Sequence, residues 1–378
     1  MILSTALAAL AVLSLMLLLW QCAVAARFPL HRRAAKPERQ RPVSLLKPLK
    51  GCDAETESCL RSWLTQDYDG PVEVLFGVAD PSDPVCALVT RLISAHPRCD
   101  ARLIHCSKQL GPNAKVSSLI HLAREAKHEI LGISDADVWA PDDFLASALA
   151  AFHDPDLGLV NAFYRFANPH NLAMRWEAFA INADFWSQVL QSASLKPMDF
   201  ALGAAMFTTR RHLDGIGGFG SIVDYLADDY ELGHRICAKG GRIELSPIVV
   251  ECRERRMSFC EVWAHQLRWA RTIRVCQPLP YFLSILSNPT VWPLLWVLLR
   301  PTPVSLAGTG ACLAFRMACG TWLERRLTRR WHWDSGLMAM LKDLLQLPIW
   351  ALAFTGSDVV WRGEKLRVTE GGRLRPVA

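Results

Sequence analysis

Glu129-Ile-Leu-Gly-Ile-Ser-Asp-Ala-Asp137 decides the fold. A run suited to a buried strand, Glu129 to Ile133, leads straight into Asp135 and Asp137, two carboxylates one residue apart. Upstream, Val43 to Leu46 is a short apolar run, Ser58 to Leu64 reads as helix and Val72 to Val78 as a buried strand. Asp83 to His96 is amphipathic, with Val85, Leu88, Val89, Leu92 and Ile93 on one face. Ala101 to Ile104 is a strand and Lys115 to Ala126 a helix; downstream follow a helix, Asp142 to Ala151, and a strand, Leu157 to Val160. Strands alternating with helices predict the α/β class, with a mostly parallel sheet covered by helices on both faces. Ligands of such sheets bind at the carboxyl ends of the strands. The acidic residues that end these strands are therefore the candidates. No G-x-G-x-x-G follows a strand and no Walker loop is present, so a nucleotide would be held by another device.

Composition bounds the rest. A chain of 378 residues suggests two or so structural units. Hydrophobic residues at 51% and charged residues at 21% exclude wholesale disorder. A net charge of +6 without a concentrated basic stripe argues against a nucleic-acid partner. A mean hydropathy of +0.15 with 14 Trp points to membrane segments. The 12 cysteines form no C-x-x-C pair and have no His at zinc-finger spacing, which reads as free thiols in a reducing compartment.

Ile2 to Ala26 carries no charge and is long enough to span a hydrocarbon core of ~30 Å. A signal peptide is the rival reading, because Ala23-Val-Ala25 imitates a cleavage site, but a basic n-region is missing. Arg27, Arg32, Arg33 and Lys36 follow the span, which predicts a cytoplasmic core. Gln277 to Leu299 is uncharged, and Thr302 to Leu323 is apolar apart from Arg316. Arg325, Arg326, Arg329 and Arg330 then form a basic cluster suited to anionic lipid. Gly336 to Trp361 is interrupted by Lys342, Asp343, Pro348 and Asp358. Two C-terminal spans plus an interfacial segment leave the basic tail cytoplasmic. The expected organisation is an anchor at 1–26, a basic linker at 27–42, a soluble domain at 43–277 and a membrane or interfacial region at 278–378.

Several acidic and basic residues carry candidate chemistry. Asp80 ends the Val72–Val78 strand; it suits a base or ribose, or equally a cap for the helix near Pro84. Asp135 and Asp137 can face one divalent cation, Mg²⁺ or Mn²⁺, which prefers oxygen ligands and neutralises a diphosphate leaving group. A polar turn capping the helix at Pro141-Asp-Asp143 is the alternative. Asp228 and Asp229 open a helix, where the dipole favours carboxylates, or supply a general base. Lys115, after Gly111-Pro-Asn-Ala114, either helps hold phosphate near a helix N-terminus or is a solvated surface lysine; this motif alone favours the surface. Arg268 and Trp269 suit diphosphate and acceptor, or are interface anchors, as Arg271 and Arg274 are expected to be.

Taken in order, Asp80, Asp135-Ala-Asp137, Asp228-Asp229-Tyr230 and Arg268-Trp269 resemble the D, DxD, D, (Q/R)xxRW series of lipid-acceptor and processive GT-A glycosyltransferases. Leu46-Lys-Pro-Leu-Lys-Gly51 and Gly111-x-Asn113-x-Lys115 resemble the ceramide glucosyltransferase family. Ala227-Asp-Asp-Tyr-Glu-Leu-Gly233 and His265 to Arg274 are closer still to its bacterial branch, the hopanoid biosynthesis-associated glycosyltransferases of the HpnI type. The closing Trp361-Arg-Gly363 is also familial. The resemblance covers about residues 43–280 and implies a GT-A domain in the bacterial inner membrane. It implies a UDP-sugar donor whose uridine is contacted by Asp80, with Asp135 and Asp137 at diphosphate and metal, Asp137 the favoured direct ligand, and Asp229 as base. Arg268 and Trp269 would close over diphosphate and acceptor, in an inverting reaction. UDP-N-acetylglucosamine with a hopanoid polyol is the first expectation, UDP-glucose with ceramide the second.

One departure stands out: His265 occupies the first position of (Q/R)xxRW. Either it replaces that side chain's hydrogen bonds or the position matters less here. A histidine there would make activity pH-sensitive, an expectation removed by a flat pH–rate profile shared with His265→Gln. A polysaccharide synthase shares the motifs but needs more spans to line a channel. A non-catalytic nucleotide- or lipid-binding protein predicts damage at positions 80, 137 or 229, and all three carboxylates are intact.

Overall fold

The computed structural model describes residues 2–33, 40–361 and 364–376. Lys36 of the basic flank, and Arg362 and Gly363 of the closing motif, lie outside the described residues. The chain divides into two compact units. A sheet unit comprises Leu30–Asn168, Pro197–Arg255 and Gly372–Ala378; a helical unit comprises Met1–Pro29, Pro169–Lys196 and Arg256–Gly371. The expected domain at 43–277 is thus divided, with 169–196 and 256–277 packing among the helices.

The sheet unit has eight strands: β1 (Val43–Leu49), β2 (Val72–Val78), β3 (Asp100–His105), β4 (Ile130–Ser134), β5 (Val138–Trp139), β6 (Leu157–Phe166), β7 (Ala205–Thr209) and β8 (Arg242–Cys252). Their order is β3-β2-β1-β4-β7-β6-β8-β5. The first half is parallel, as the alternation of strand and helix requires. The second half is mixed. β7 begins opposite the end of β4, with Ala205 paired to Ser134, so the chain re-enters from the carboxyl edge and runs antiparallel. β6 and β8 are parallel to each other, and β5 is antiparallel to β8.

Alternate residues of each strand face opposite layers. Val43 and Leu45 of β1 and Val74, Phe76 and Val78 of β2 pack with Leu60, Trp63, Val85 and Val89. Leu46, Leu75, Leu131 and Ile133 pack with Val116, Leu119 and Leu122 of the helix Ala114–Glu125. β1 runs beyond the Leu46 boundary that its composition suggests. Lys47 and Pro48 interrupt the apolar pattern, but pairing with β4 ends at Leu46 and β2 alone continues alongside. Pro48 therefore sits where one edge of the strand needs no ladder hydrogen bond.

In the helical unit, Ile2–Arg27 forms one helix long and apolar enough to cross a membrane. Its buried stripe is Ser4, Ala11, Ser14, Leu18, Gln21 and Ala25. Gln21 Nε2 donates to Ser187 Oγ at 2.6 Å, and Gln191 Nε2 donates to the Leu17 carbonyl at 2.9 Å. Arg326 donates to the carbonyls of Ala25, Ala26 and Phe28 at 2.8–2.9 Å.

The C-terminal segments depart from their sequence expectations. Gln277 to Leu299 is not one straight span: Pro278–Ser287 and Val291–Leu299 meet at a 54° bend. Asn288 fills the break, accepting from Val291 N–H at 2.9 Å and donating to the Asp343 carbonyl at 2.8 Å. Thr302 to Leu323 becomes the helix Pro303–Thr328, in which Arg316 is buried against Asp184 and Asp343 at 2.7 and 2.9 Å. Lys342 Nζ lies 2.8 Å from Asp184, and Thr290 donates to Asp343 at 2.7 Å. Lys342 and Asp343, expected at a polar interface, are thus drawn inside from the helix Ser335–Leu352. Among the described residues one helix, or two if the bent pair is a single span, meets the length and apolarity of a crossing. Paired internal charges account for the difference.

Candidate active site

β2 and β4 run parallel on either side of β1, so their carboxyl ends lie at the same edge of the sheet. β4 delivers Asp135 and Asp137. Lys115 meets them from the helix Ala114–Glu125, whose N-cap is Asn113: the Asn113 side chain accepts from Val116 N–H at 3.0 Å and donates to the Tyr225 carbonyl at 2.8 Å. That cap fixes Lys115, which is 6% exposed. Its Nζ lies 2.8 Å from Asp135 Oδ1 and 3.1 Å from Asp228 Oδ2. The surface reading of Lys115 is therefore corrected: the lysine is buried between two candidate carboxylates. Burial works against its charge, but Asp135 and Asp228 outweigh it and hold the ammonium well above the usual lysine range.

Asp228 and Asp229 open the helix Asp228–Ala238, as expected. Asp229 accepts from Tyr230 N–H at 2.8 Å. Burial lifts its carboxyl to about 6, and the neighbouring Asp228 adds to this, while Lys115 and the Tyr230 N–H pull the other way. The pair has separated into two chemistries: Asp228 is a counter-ion for Lys115, and Asp229 is poised near the pKa of a general base. A Cβ on Gly203 would stand 2.9 Å from Asp229 Oδ2, so the absence of a side chain at 203 leaves room for that carboxylate.

Asp80 sits apart from this cluster on the exposed loop after β2. It accepts from Ser82 N–H and Ser82 Oγ–H at 2.8 and 2.7 Å, which hold its carboxyl below the usual range. The capping alternative belongs to Asp83, which accepts from Val85 N–H at 2.9 Å and from Gly51 N–H at 2.7 Å. Gly51 has φ +70°, the left-handed region that glycine enters without strain, and this brings the end of Leu46–Gly51 to Asp83.

Sequence reasoning missed Lys47. It is wholly buried, donating to the Asp135 carbonyl at 2.5 Å and to Ser134 Oγ at 3.1 Å. Burial pulls its ammonium down to about 8, against neighbouring anionic groups that include Asp135 and Asp137. Its signal was the Leu46–Gly51 motif, which carries a charge inside a strand run.

The donor set decides what metal would fit. Among the described residues, no group of three or more His, Cys, Asp or Glu could hold an ion alone. Asp135 is already paired with Lys115. The acidic side chains Asp135, Asp137, Asp228 and Asp229 outnumber the two buried lysines beside them, Lys47 and Lys115. That balance fits a divalent cation shared between Asp137 and substrate oxygens.

In the helical unit, Phe259–Cys276 is a helix with a Ser258–Glu261 capping box. His265 Nδ1 lies 2.7 Å from Oε1 of buried Glu177, and Gln266 Nε2 donates to the same oxygen at 2.9 Å. His265 also packs against Trp269, with ring centroids 4.5 Å apart. Glu177, another residue the sequence did not mark, lies against the departing position, although the His265 ring nitrogen is not aligned for a hydrogen bond to it. Arg268 and Trp269 are half-buried on this helix. Arg271 and Arg274 are not simple interface anchors; Arg271 donates to the Asp358 carbonyl, and Arg274 lies over the Phe354 ring.

The chain also resembles known proteins. The model of glycosyl transferase family 21 matches residues 5–374. A ceramide glucosyltransferase of Candida albicans is 32% identical over 122 residues, 29% of this chain and 22% of that protein. The matched part thus spans less than a quarter of that relative. Ceramide glucosyltransferase 1 of Caenorhabditis elegans is 19% identical over 360 residues, covering 92% of this chain and 76% of the relative. Among solved structures, a Pyrobaculum calidifontis mannosyltransferase in complex with GDP-Man and Mn²⁺ superposes with a TM-score of 0.55 at 20% identity, covering 92% and 98% of the two chains. That likeness establishes the GT-A-like fold.

Proposed function

The chain belongs to glycosyl transferase family 21, and from that membership we propose that it is a membrane-bound, inverting transferase that moves a sugar from a UDP-sugar to a lipid hydroxyl. The observation that carries the reading is Asp229, lifted to about 6 beside the Lys115-bridged pair of Asp135 and Asp228. A carboxylate with that pKa is ionised at neutral pH and basic enough to take a proton from a hydroxyl.

Asp229 takes the acceptor's hydroxyl proton as the acceptor oxygen bonds to the anomeric carbon. The bond from that carbon to the diphosphate breaks in the same step, and UDP leaves with its electron pair. One base suffices, and the product is β-linked. Lys115 holds Asp135 and Asp228 in register and spreads positive charge beside the diphosphate. Asp80, on its exposed loop, is assigned to the uridine. Asp137, supported by Asp135, would hold Mg²⁺ or Mn²⁺, which when bound neutralises charge on the leaving group. The motif assigns Arg268 to diphosphate and Trp269 to the acceptor, with His265 held by Glu177.

The first choice of substrates is UDP-N-acetylglucosamine with a hopanoid polyol, at the cytoplasmic face of a bacterial inner membrane. The motifs at 227–233 and 265–274 support it. UDP-glucose with ceramide is the second, favoured by the names of the curated relatives.

Radiolabelled transfer by purified, detergent-solubilised protein tests the reading. Each donor is offered to each acceptor with Mg²⁺ or EDTA, and Asp229→Asn runs beside wild type. Metal-dependent transfer that is lost in the variant supports the reaction, and the productive pair identifies the substrates. A folded protein that transfers nothing to either lipid overturns it.

A further inference from the structure

We infer that Lys47 is a positioning residue for the metal and diphosphate site, holding the turn that aims Asp135 and Asp137. The inference rests on the donor-site reading given above and extends it to a residue outside the D, DxD, D series.

The turn after β4 is held at successive carbonyls. Lys47 Nζ donates to the Asp135 carbonyl at 2.5 Å and to Ser134 Oγ at 3.1 Å. Cys59 Sγ and Arg253 N–H reach the Asp137 carbonyl at 3.3 and 2.9 Å. Trp63 Nε1 donates to the Val138 carbonyl at 2.9 Å. The same indole lies beneath Lys47, with Nζ 4.8 Å from its ring centroid. Lys47 is thus the cationic member of a set of donors fastened to one short stretch of backbone.

Fastening alone does not call for a lysine. An ammonium with no exposed surface carries a desolvation cost that a neutral donor or an apolar side chain avoids. What the charge adds is a positive centre against the backbone that carries two carboxylates. It opposes the mutual repulsion of the two carboxylates from the side of the backbone that carries them. Partners placed behind metal ligands in this way commonly change metal affinity by about 10–100-fold when removed.

Mn²⁺ binding tests this without turnover. Mn²⁺ is titrated into the purified full chain with and without UDP and followed by electron paramagnetic resonance, for wild type, Lys47→Met and Ser134→Ala. The expected result is Mn²⁺–UDP binding by wild type, weakened about 10–100-fold in Lys47→Met at an unchanged or higher thermal midpoint. Ser134→Ala, which removes one of the two acceptors of Lys47, weakens binding less. Equal affinity in wild type and folded Lys47→Met overturns the role of Lys47. Should Lys47→Met fail to fold, equal affinity in Ser134→Ala and wild type overturns it. Absence of Mn²⁺–UDP binding by folded wild type overturns the donor-site reading itself, and the role of Lys47 with it.

Discussion

Glu177 receives His265 at 2.7 Å from inside the helical unit. The carboxylate is 1% exposed, and the same oxygen accepts from Gln266 at 2.9 Å. The imidazole is close to the carboxylate without being aligned for a hydrogen bond, so the contact asks for a polar side chain of similar reach and not for histidine itself. His265→Gln is expected to keep a thermal midpoint close to wild type. His265→Ala removes the packing against Glu177 and the Trp269 ring, at a cost of about 0.5–3 kcal/mol. Thermal unfolding in detergent reads both, and equal loss in the two variants would remove the explanation.

Asp229→Asn keeps shape but removes the proposed base. Transfer is expected to fall by about 10²–10⁴-fold with UDP affinity unchanged. A parallel loss of UDP binding would mean that Asp229 holds the donor instead.

The pH dependence follows from the raised carboxyl. Asp229 acts when ionised, so activity rises as pH passes through about 6 and levels off above it. Asp228 is a like charge that contributes to the rise in pKa. Asp228→Asn is therefore expected to move the acidic limb to lower pH, even where it also weakens the hold on Lys115. A limb that stays in place would assign it to another group.

Gly203→Ala places a methyl group 2.9 Å from Asp229 Oδ2. The neighbour is the end of a side chain, so the carboxylate shifts and the fold survives. A displaced base costs on the order of 10²-fold in kcat, with UDP binding intact. Wild-type kcat in this variant would show that Asp229 has slack.

Arg316→Met leaves Asp184 and Asp343 buried with part of their partners gone. Breaking such a set costs about 3–5 kcal/mol. Thermal unfolding in detergent measures it, and an unchanged midpoint would show that the charges relax into water.

The parallel half of the sheet and the strand-end carboxylates were legible because both are local signals. Glu129–Asp137 contains its strand and its two carboxylates within one short stretch, and Val72–Val78 is apolar apart from Glu73. Lys115, Lys47 and Glu177 were misread or missed for the opposite reason. Each is a charged residue whose burial depends on a partner far along the chain: Asp228 for Lys115, Asp135 for Lys47, His265 for Glu177. Arg316, Lys342 and Asp343 misled in the same way. They read as interruptions of apolar segments, but Asp184, on a distant π-helical turn, accepts two of them. The antiparallel entry of β7 leaves no periodic mark, since strand direction is set by where the chain returns.

The grip of Arg326 on Ala25, Ala26 and Phe28 bears on how the enzyme can be engineered. Those carbonyls close the helix Ile2–Arg27, and Gln21 and Leu17 are bonded further along it. The segment is a fitted part of the helical unit and not an interchangeable tether. A chimaera carrying a generic hydrophobic helix in its place would still reach the lipid phase, yet it would lack Gln21 for Ser187. Trimming after Ala25 for soluble expression would strip Arg326 of neighbours and bare the stripe against which the helix lies. Protein for purification is therefore better tagged ahead of Ile2 than shortened behind it.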